Sequence, residues 1–262
     1  MSAIVIDEGI IHYESWGRGS PPIILLHGWL GSWRYWMSTM EELSEQHRTY
    51  ALDLWGFGDS DKSTNRHSVE KYVNLLGDFM DELGVAPAAL VGHSLGATIA
   101  VKFAIANPDR VTRLMLVSLA VMGNAINRRL LTIDSPSRWG RLLGGRWPVN
   151  HEEVLVDAEK ASESVIALTV QACAELDLRE NLRQIEVPLL AVYGEKDNLV
   201  DPTQANLFEN TASNMRSITL SESRHFPMLD EASKFHRLLK DFLLTDDLRS
   251  LTLKEEWRRR TH

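Results

Sequence analysis

The sequence predicts an α/β fold, a doubly wound and mostly parallel sheet interrupted by a helical insertion. Three observations predict it. Short apolar runs of strand length alternate with stretches of amphipathic helical pattern, the β–α–β–α rhythm of a parallel sheet. Several of those runs, such as Ile23–Leu26, are apolar at every position, as strands covered on both faces are. The rhythm then stops over residues 119–183, where no strand pattern is found, and resumes after them.

Each element has its own signal. Residues 4–6 and 10–14 read as a hairpin on the sheet edge. Pro21-Pro22 leads into the strand Ile23–Leu26, and a helix is predicted over residues 33–46. A strand at 49–54 and a helix from about 68 to 83 follow. The run at 88–92 is a strand that feeds a helix over 95–107, stopped by Pro108. Val111–Val117 is the next strand. The interruption holds a loop-like segment with Asp134-Ser135-Pro136, Gly144-Gly145 and Trp147-Pro148, then a helical region over 151–182. Strands at 188–193 and 217–220 and helices near 203–209 and over 231–244 complete the pattern. The chain therefore divides into a core, residues 1–118 and 184–262, and a helical lid, residues 119–183. The tail after Asp246 is polar and predicts no element.

Composition narrows the function. At 262 residues and 44% hydrophobic, the chain can bury one large core with an inserted subdomain. A net charge of −8 argues against a nucleic-acid partner. The single cysteine, Cys173, excludes an internal disulfide and a multi-cysteine zinc site. No histidine–carboxylate cluster shows metal-site spacing, so no metal is expected. The first nine residues carry no basic residue and no apolar stretch, unlike a secretory signal. No run approaches the roughly 18 apolar residues that span a bilayer. The expectation is a soluble, cytoplasmic protein with no membrane partner, its oligomeric state left open.

The sharpest chemical signal is Gly92-His93-Ser94-Leu95-Gly96, set between an apolar strand and a helix. A strand–turn–helix with small residues flanking a serine lets the hydroxyl project at the strand's carboxyl end. Such a hydroxyl needs a base, usually histidine, oriented by a carboxylate. Asp197 and His225 both follow strand ends in the order this arrangement takes, serine, acid, histidine. Asp201 is the rival acid, and a turn-forming aspartate or a surface histidine is the plainer reading of each. His27-Gly28-Trp29-Leu30-Gly31 follows the strand Ile23–Leu26. Its Trp29 N–H, with that of Leu95 at the helix start, is the candidate pair of donors for an oxyanion. His27 itself reads as a residue that holds its loop by hydrogen bonds, with a catalytic role as the alternative.

These motifs, together with Asp53-Leu54-Trp55-Gly56-Phe57-Gly58-Asp59-Ser60, resemble the α/β-hydrolase superfamily, and within it the lidded serine hydrolases akin to bacterial carboxylesterases. The resemblance implies an eight-stranded, mostly parallel sheet, a lid after the sixth strand and cofactor-free hydrolysis through an acyl-enzyme. It carries the family's triad onto Ser94, Asp197 and His225. Asp53 is read as structural, with Gly56 and Gly58 shaping the backbone. Serine at the elbow disfavours the dehalogenases and epoxide hydrolases of this fold, which use aspartate. Cleavage of a small to medium carboxylic ester is the expected reaction. Carbon–carbon bond hydrolysis of vinylogous diketo acids, thioester hydrolysis and perhydrolysis share the acyl chemistry. A small-molecule receptor that kept the fold is the alternative from another class.

The lid offers one further expectation. Val165, Leu168, Ala172 and Leu176 recur at helical spacing, with Ile166, Val170 and Cys173 as a second row, and are read as packing surface. Arg128, Arg129, Arg138, Arg141 and Arg146 stand near a single acidic residue, Asp134. A solvated basic face is the plain reading, and attraction of an acidic substrate or carrier is the sharper one. Trp139 and Trp147 are placed in the lid or its pocket.

Overall fold

The edge hairpin forms as the sequence predicts. In the computed structural model, β1 (Ser2–Ile6) pairs antiparallel with β2 (Gly9–Trp16) across Asp7-Glu8. The structure describes residues 2–62, 66–130, 151, 154, 156–157, 160–161, 163–209 and 212–253. The strands β3 (Ile23–Leu26), β4 (Thr49–Leu52), β5 (Ala88–His93) and β7 (Leu189–Gly194) are buried at every position, which is why their sequences do not alternate. β6 (Val111–Val117) and β8 (Met215–Leu220) complete one eight-stranded sheet, ordered β1-β2-β4-β3-β5-β6-β7-β8. β3 to β8 run parallel, and β2 runs against them, pairing antiparallel with both β1 and β4.

Helix α1 (Met37–Leu43) joins β3 to β4 in one direction along the sheet. Helices α2 (Val69–Glu82) and α3 (Leu95–Ala106) join β4 to β5 and β5 to β6 in the other. Because such crossovers are right-handed, the two sets cover opposite faces. α2 begins where the Ser68 hydroxyl accepts the N–H of Lys71, and it buries the stripe Val69, Tyr72, Leu75, Leu76, Phe79 and Met80. α3 is buried almost all round, packed against β5 and α2. The reversal of strand order at β3 and β5 makes the loops after these two strands diverge. That divergence opens a crevice at their carboxyl ends.

After β6 the described residues of the insertion contain α4 (Glu163–Ala174) and α5 (Arg179–Leu182), with one isolated bridge inside it, Met122–Asp177, and one to the core, Ile126–Val200. Val165 and Ile166 are buried, but Leu168 is 48% exposed. One residue expected on the packing row therefore faces solvent. The loop-like segment, Arg138, Arg141, Arg146, Trp139 and Trp147 lie outside the described residues, as does the side chain of Val170. α6 (Pro227–Asp230) and α7 (Ala232–Leu244) close the fold, α7 packing on α1.

Among the differences from expectation, four have plain local reasons. The predicted helix over 33–46 begins as a 3₁₀ turn, Trp33–Trp36, because Asp53 holds the Trp33 N–H at 2.7 Å and Ser32 caps Arg34. It ends at Leu43, where the chain turns to bring Arg48 beside Ile23. The strand predicted over 49–54 ends at Leu52, since Asp53 turns its side chain to three other segments. The helix near 203–209 is a 3₁₀ helix, Pro202–Phe208. The tail is not featureless: Leu248 and Leu251 are buried, and Arg216 donates to the carbonyls of Leu248 and Arg249 at 2.9 and 2.7 Å. No described helix is long and apolar enough to cross a membrane.

Candidate active site

The turn from β5 into α3 places Ser94 at φ 51°, ψ −110°, a backbone conformation that L-residues rarely hold. A β-carbon on Gly92 would collide with the Gly96 carbonyl, and one on Gly96 with the carbonyls of Leu26 and His27. The two glycines that flank the serine are thus required by close packing of the turn on itself and on β3. The Ser94 N–H is held by the Val117 carbonyl at 2.8 Å. Leu95 opens α3, where first-turn N–H groups have no carbonyl within the helix to bond and carry partial positive charge.

Asp197 and His225 are brought together from the loops after β7 and β8. His225 Nδ1 lies 2.8 Å from Asp197 Oδ2, and Asp197 Oδ1 accepts the N–H groups of Leu199 and Val200 at 2.8 and 3.1 Å. The carboxylate is fully buried, its charge met by these three donors. The rival Asp201 spends its side chain capping the 3₁₀ helix through Thr203 N–H at 2.9 Å. The two loops are clipped to each other by a bond from Lys196 N–H to the Ser223 carbonyl. Asp230 accepts the Arg224 N–H at 2.8 Å, and Glu231 takes the Ser223 hydroxyl at 2.8 Å.

Trp29, Ser94, Leu95 and His225 line one cavity at the sheet's carboxyl edge. The rest of its described lining is mostly apolar and includes Ala120, Ile126, Leu130, Leu176, Leu199 and Phe226, with no Asp, Glu, Lys or Arg. Cys173 also lines it, and burial pushes its thiol up to about 12, so it is neutral near pH 7. Of the lid rows read from the sequence, Cys173 and Leu176 therefore face this cavity. Thr169, beside them, donates its hydroxyl to the Val165 carbonyl at 2.6 Å.

His27 is fixed on both sides of its ring. Its Nε2 accepts the Leu54 N–H at 2.9 Å, which requires the proton on Nδ1, and Nδ1 donates to the Gly28 carbonyl at 2.7 Å. Burial lowers its pKa. The ring holds the loop, as the plainer reading of the sequence has it. Gly31 N–H closes that loop on the Gly28 carbonyl, with Leu30 at φ 59°.

Asp53 is wholly buried and ties three segments, accepting from Trp33 N–H at 2.7 Å, Asp59 N–H at 2.9 Å and His12 Nδ1 at 2.9 Å. Gly56 and Gly58 have φ 86° and 51°, and a β-carbon on Gly58 would strike the Asp53 carboxylate. His12, Asp53 and Asp59 form a histidine–carboxylate group that no sequence spacing announced. Its oxygens are already engaged, Asp53 by N–H donors and Asp59 by Arg34 and Lys160 at 3.2 Å each, so the donor set is that of a structural clip.

Sequence reasoning passed over His93 and Ser118. His93 Nε2 lies 2.8 Å from the main-chain carbonyl of His225, and the Ser118 hydroxyl donates to the same oxygen at 3.1 Å. A histidine beside the serine was visible, but its partner 132 residues away was not.

The alpha/beta hydrolase fold family matches residues 21–172, more than half of the chain. A pimeloyl-(acyl-carrier protein) methyl ester esterase of Aliivibrio fischeri is 25% identical over 258 residues, covering 89% of this chain and 97% of that one. The crystal structure of the enol-lactonase from Burkholderia xenovorans superposes with a TM-score of 0.82 at 22% identity, over 93% of this chain and 100% of that one. A meta-cleavage product hydrolase superposes with a TM-score of 0.79 at 22% identity, over 92% and 97%.

Proposed function

The chain belongs to the alpha/beta hydrolase fold family, and we propose that within it this protein is a serine hydrolase that cleaves a small or medium carboxylic ester through an acyl-enzyme. The observation that carries the reading is the shared cavity of Ser94 and His225, with His225 bonded at 2.8 Å to the buried Asp197. In this reading the Ser94 hydroxyl attacks the ester carbonyl and passes its proton to Nε2 of His225. Asp197 holds the ring with its proton on Nδ1 and stabilises the imidazolium that forms. The developing oxyanion is met by the N–H groups of Leu95 and Trp29, each such donor being worth about 2.7–4 kcal/mol in the transition state. His225 then protonates the leaving alcohol, and a water deprotonated by the same ring releases the acid. No cofactor enters the scheme.

The lining supports an uncharged acyl or aryl group, because an ionised carboxylate among these apolar side chains would lose its hydration without a partner. A methyl or short alkyl ester of such an acid is the proposed substrate. A fluorophosphonate probe tests the reading. One adduct on Ser94 is expected, together with loss of ester turnover in Ser94→Ala and a preference for neutral over carboxylate-bearing acyl groups. An adduct elsewhere, or native turnover in the alanine variant, would overturn it.

A further inference from the structure

We propose that His93 and Ser118 form a clamp on the main-chain carbonyl of His225 and are positioning residues for that base. The inference rests on the serine-hydrolase reading above and adds two residues that act through the main chain of the base, His93 also lining the cavity beside Ser94.

The clamp follows from donor and acceptor chemistry. A carbonyl oxygen only accepts, so the 2.8 Å contact from His93 Nε2 requires the proton on that nitrogen. Nδ1 is then bare. It is buried, meets no donor among the described residues, and faces Gly28. Protonating it would bury an N–H with no acceptor and place a positive charge beside the His225 ring, whose centroid is 4.8 Å away. Burial first, and the neighbouring His225 second, hold His93 well below the ordinary histidine range. The ring is therefore a fixed, neutral donor. Packing against Tyr35 and Phe226, with centroids at 6.1 and 5.0 Å, fixes its plane.

Ser118 supplies the second donor. It follows β6 at φ 50°, unusual for a residue with a β-carbon, and its N–H is bound by the Val192 carbonyl at 2.8 Å. That conformation coincides with delivery of its hydroxyl to the His225 carbonyl at 3.1 Å. Two donors from the ends of neighbouring strands thus bond to one oxygen. Asp197 orients the imidazole through its ring nitrogen, while the clamp fixes the main chain from which the ring hangs. His93 adjoins Ser94 in sequence, so the serine turn and the base loop are registered to each other through one side chain. Displacing a catalytic group by about 1 Å can cost on the order of 100-fold in rate.

The test uses steady-state hydrolysis of p-nitrophenyl butyrate by the full chain. His93→Ala should lower kcat by about 10- to 100-fold with KM changed less than about two-fold, the pattern of a loss confined to the transition state. His93→Gln, whose amide can donate to the same carbonyl, should recover most of that loss. Ser118→Ala should lose about three- to ten-fold in kcat. In a His225→Ala background, His93→Ala should change the residual rate no further, because the clamp acts only through that ring. Native kcat in His93→Ala, equal losses in the alanine and glutamine variants, or an additional loss in the His225→Ala background would each overturn the clamp. Should His93→Ala fail to fold, the glutamine and Ser118 variants decide it by the same criteria. Full activity in Ser94→Ala and His225→Ala would instead refute the underlying reading. Inactivity there with native kcat in His93→Ala would refute the clamp alone.

Discussion

A β-carbon on Gly28 would lie 2.5 Å from Nδ1 of His93 and 3.2 Å from the β-carbon of Ser94. The loop after β3 and the turn after β5 therefore meet at a position with room for a hydrogen and nothing larger. Gly28→Ala must push the His93 ring or the Trp29 segment aside. Overpacking of this kind costs about 1–3 kcal/mol. The thermal midpoint should fall by about 2–4 °C per kcal/mol in a domain of this size. Because the segment that moves carries one proposed oxyanion donor, kcat should fall by at least about ten-fold, more than KM changes. Calorimetry alongside ester kinetics checks both, and native kcat would show that the fit has no bearing on the chemistry.

Ser94 sits at φ 51° and ψ −110°, where a residue with a β-carbon is strained by about 1–3 kcal/mol. Glycine carries no such strain but loses more chain entropy on folding, about 0.5–1 kcal/mol relative to alanine. Ser94→Gly should therefore be more stable than Ser94→Ala by about 1 kcal/mol, both lacking ester turnover. Urea unfolding of the two variants measures the difference. A less stable glycine variant would mean that the turn is relaxed as it stands.

Asp197→Asn separates charge from shape. The carboxylate serves His225 with one oxygen and two loop N–H groups with the other. An asparagine can keep the loop bonds only by turning its amide nitrogen toward His225, which favours the wrong tautomer of the ring. Loss of about 10⁴-fold in kcat accompanies that change in the serine-protease template, and a loss of at least about 10²-fold is expected here. The loop around Leu199 should stay folded, readable as unchanged hydrogen exchange at Leu199 and Val200. A variant with native kcat would remove Asp197 from the mechanism.

Arg128 and Arg129 are exposed immediately before Leu130, which lines the cavity. On a chain of net charge −8 they add positive charge next to a residue of the cavity wall. Replacing both with glutamate should lower kcat/KM for an ester with a free carboxylate by about two- to five-fold more than for a neutral ester at low salt. The gap should close as ionic strength shortens the screening length to about 8 Å and below. Equal losses for both esters would mark the arginines as solvated surface.

What the sequence made legible follows from range. β3 and β6 match their predicted limits because a fully apolar run with a turn on either side is a local signal. Ser94, Asp197 and His225 could be nominated as candidates because each stands just past a strand end, so position along the chain predicts position in the crevice. Asp197 could be told from Asp201 only in three dimensions, where one carboxylate reaches the ring and the other caps a helix. Ser118 gave no signal at all, since its hydroxyl acts on a carbonyl 107 residues away. The break at Met37 escaped for the same reason: Asp53, distant in sequence, holds the Trp33 N–H and shapes the turn.

His12 and Asp53 give the fold a pH-dependent contribution whose direction is fixed. Both are buried, and Nδ1 of His12 lies 2.9 Å from Asp53 Oδ2. The hydrogen bond to Asp53 raises the His12 pKa against the lowering effect of burial, with the charges of Asp53, Asp59 and Glu14 adding to the rise. A folded pKa above the ordinary 6.5 means that the folded chain holds this proton more tightly than the unfolded chain. The pair's stabilisation is therefore complete below pH 6.5 and is lost as the pH climbs through the folded value. The lowered pKa values of His27 and His93 act in the opposite sense, weakening the fold on the acidic side. The native protein alone would thus mix the two trends, and the comparison must be with His12→Gln. Urea unfolding should show His12→Gln less stable than the native protein by roughly 1.5–3 kcal/mol near pH 6, the scale of a hydrogen bond to a charged group. The gap should narrow steadily toward pH 9. A gap that is constant or widens over that range would mean that His12 is neutral in the folded protein, and that the pair contributes only a neutral hydrogen bond.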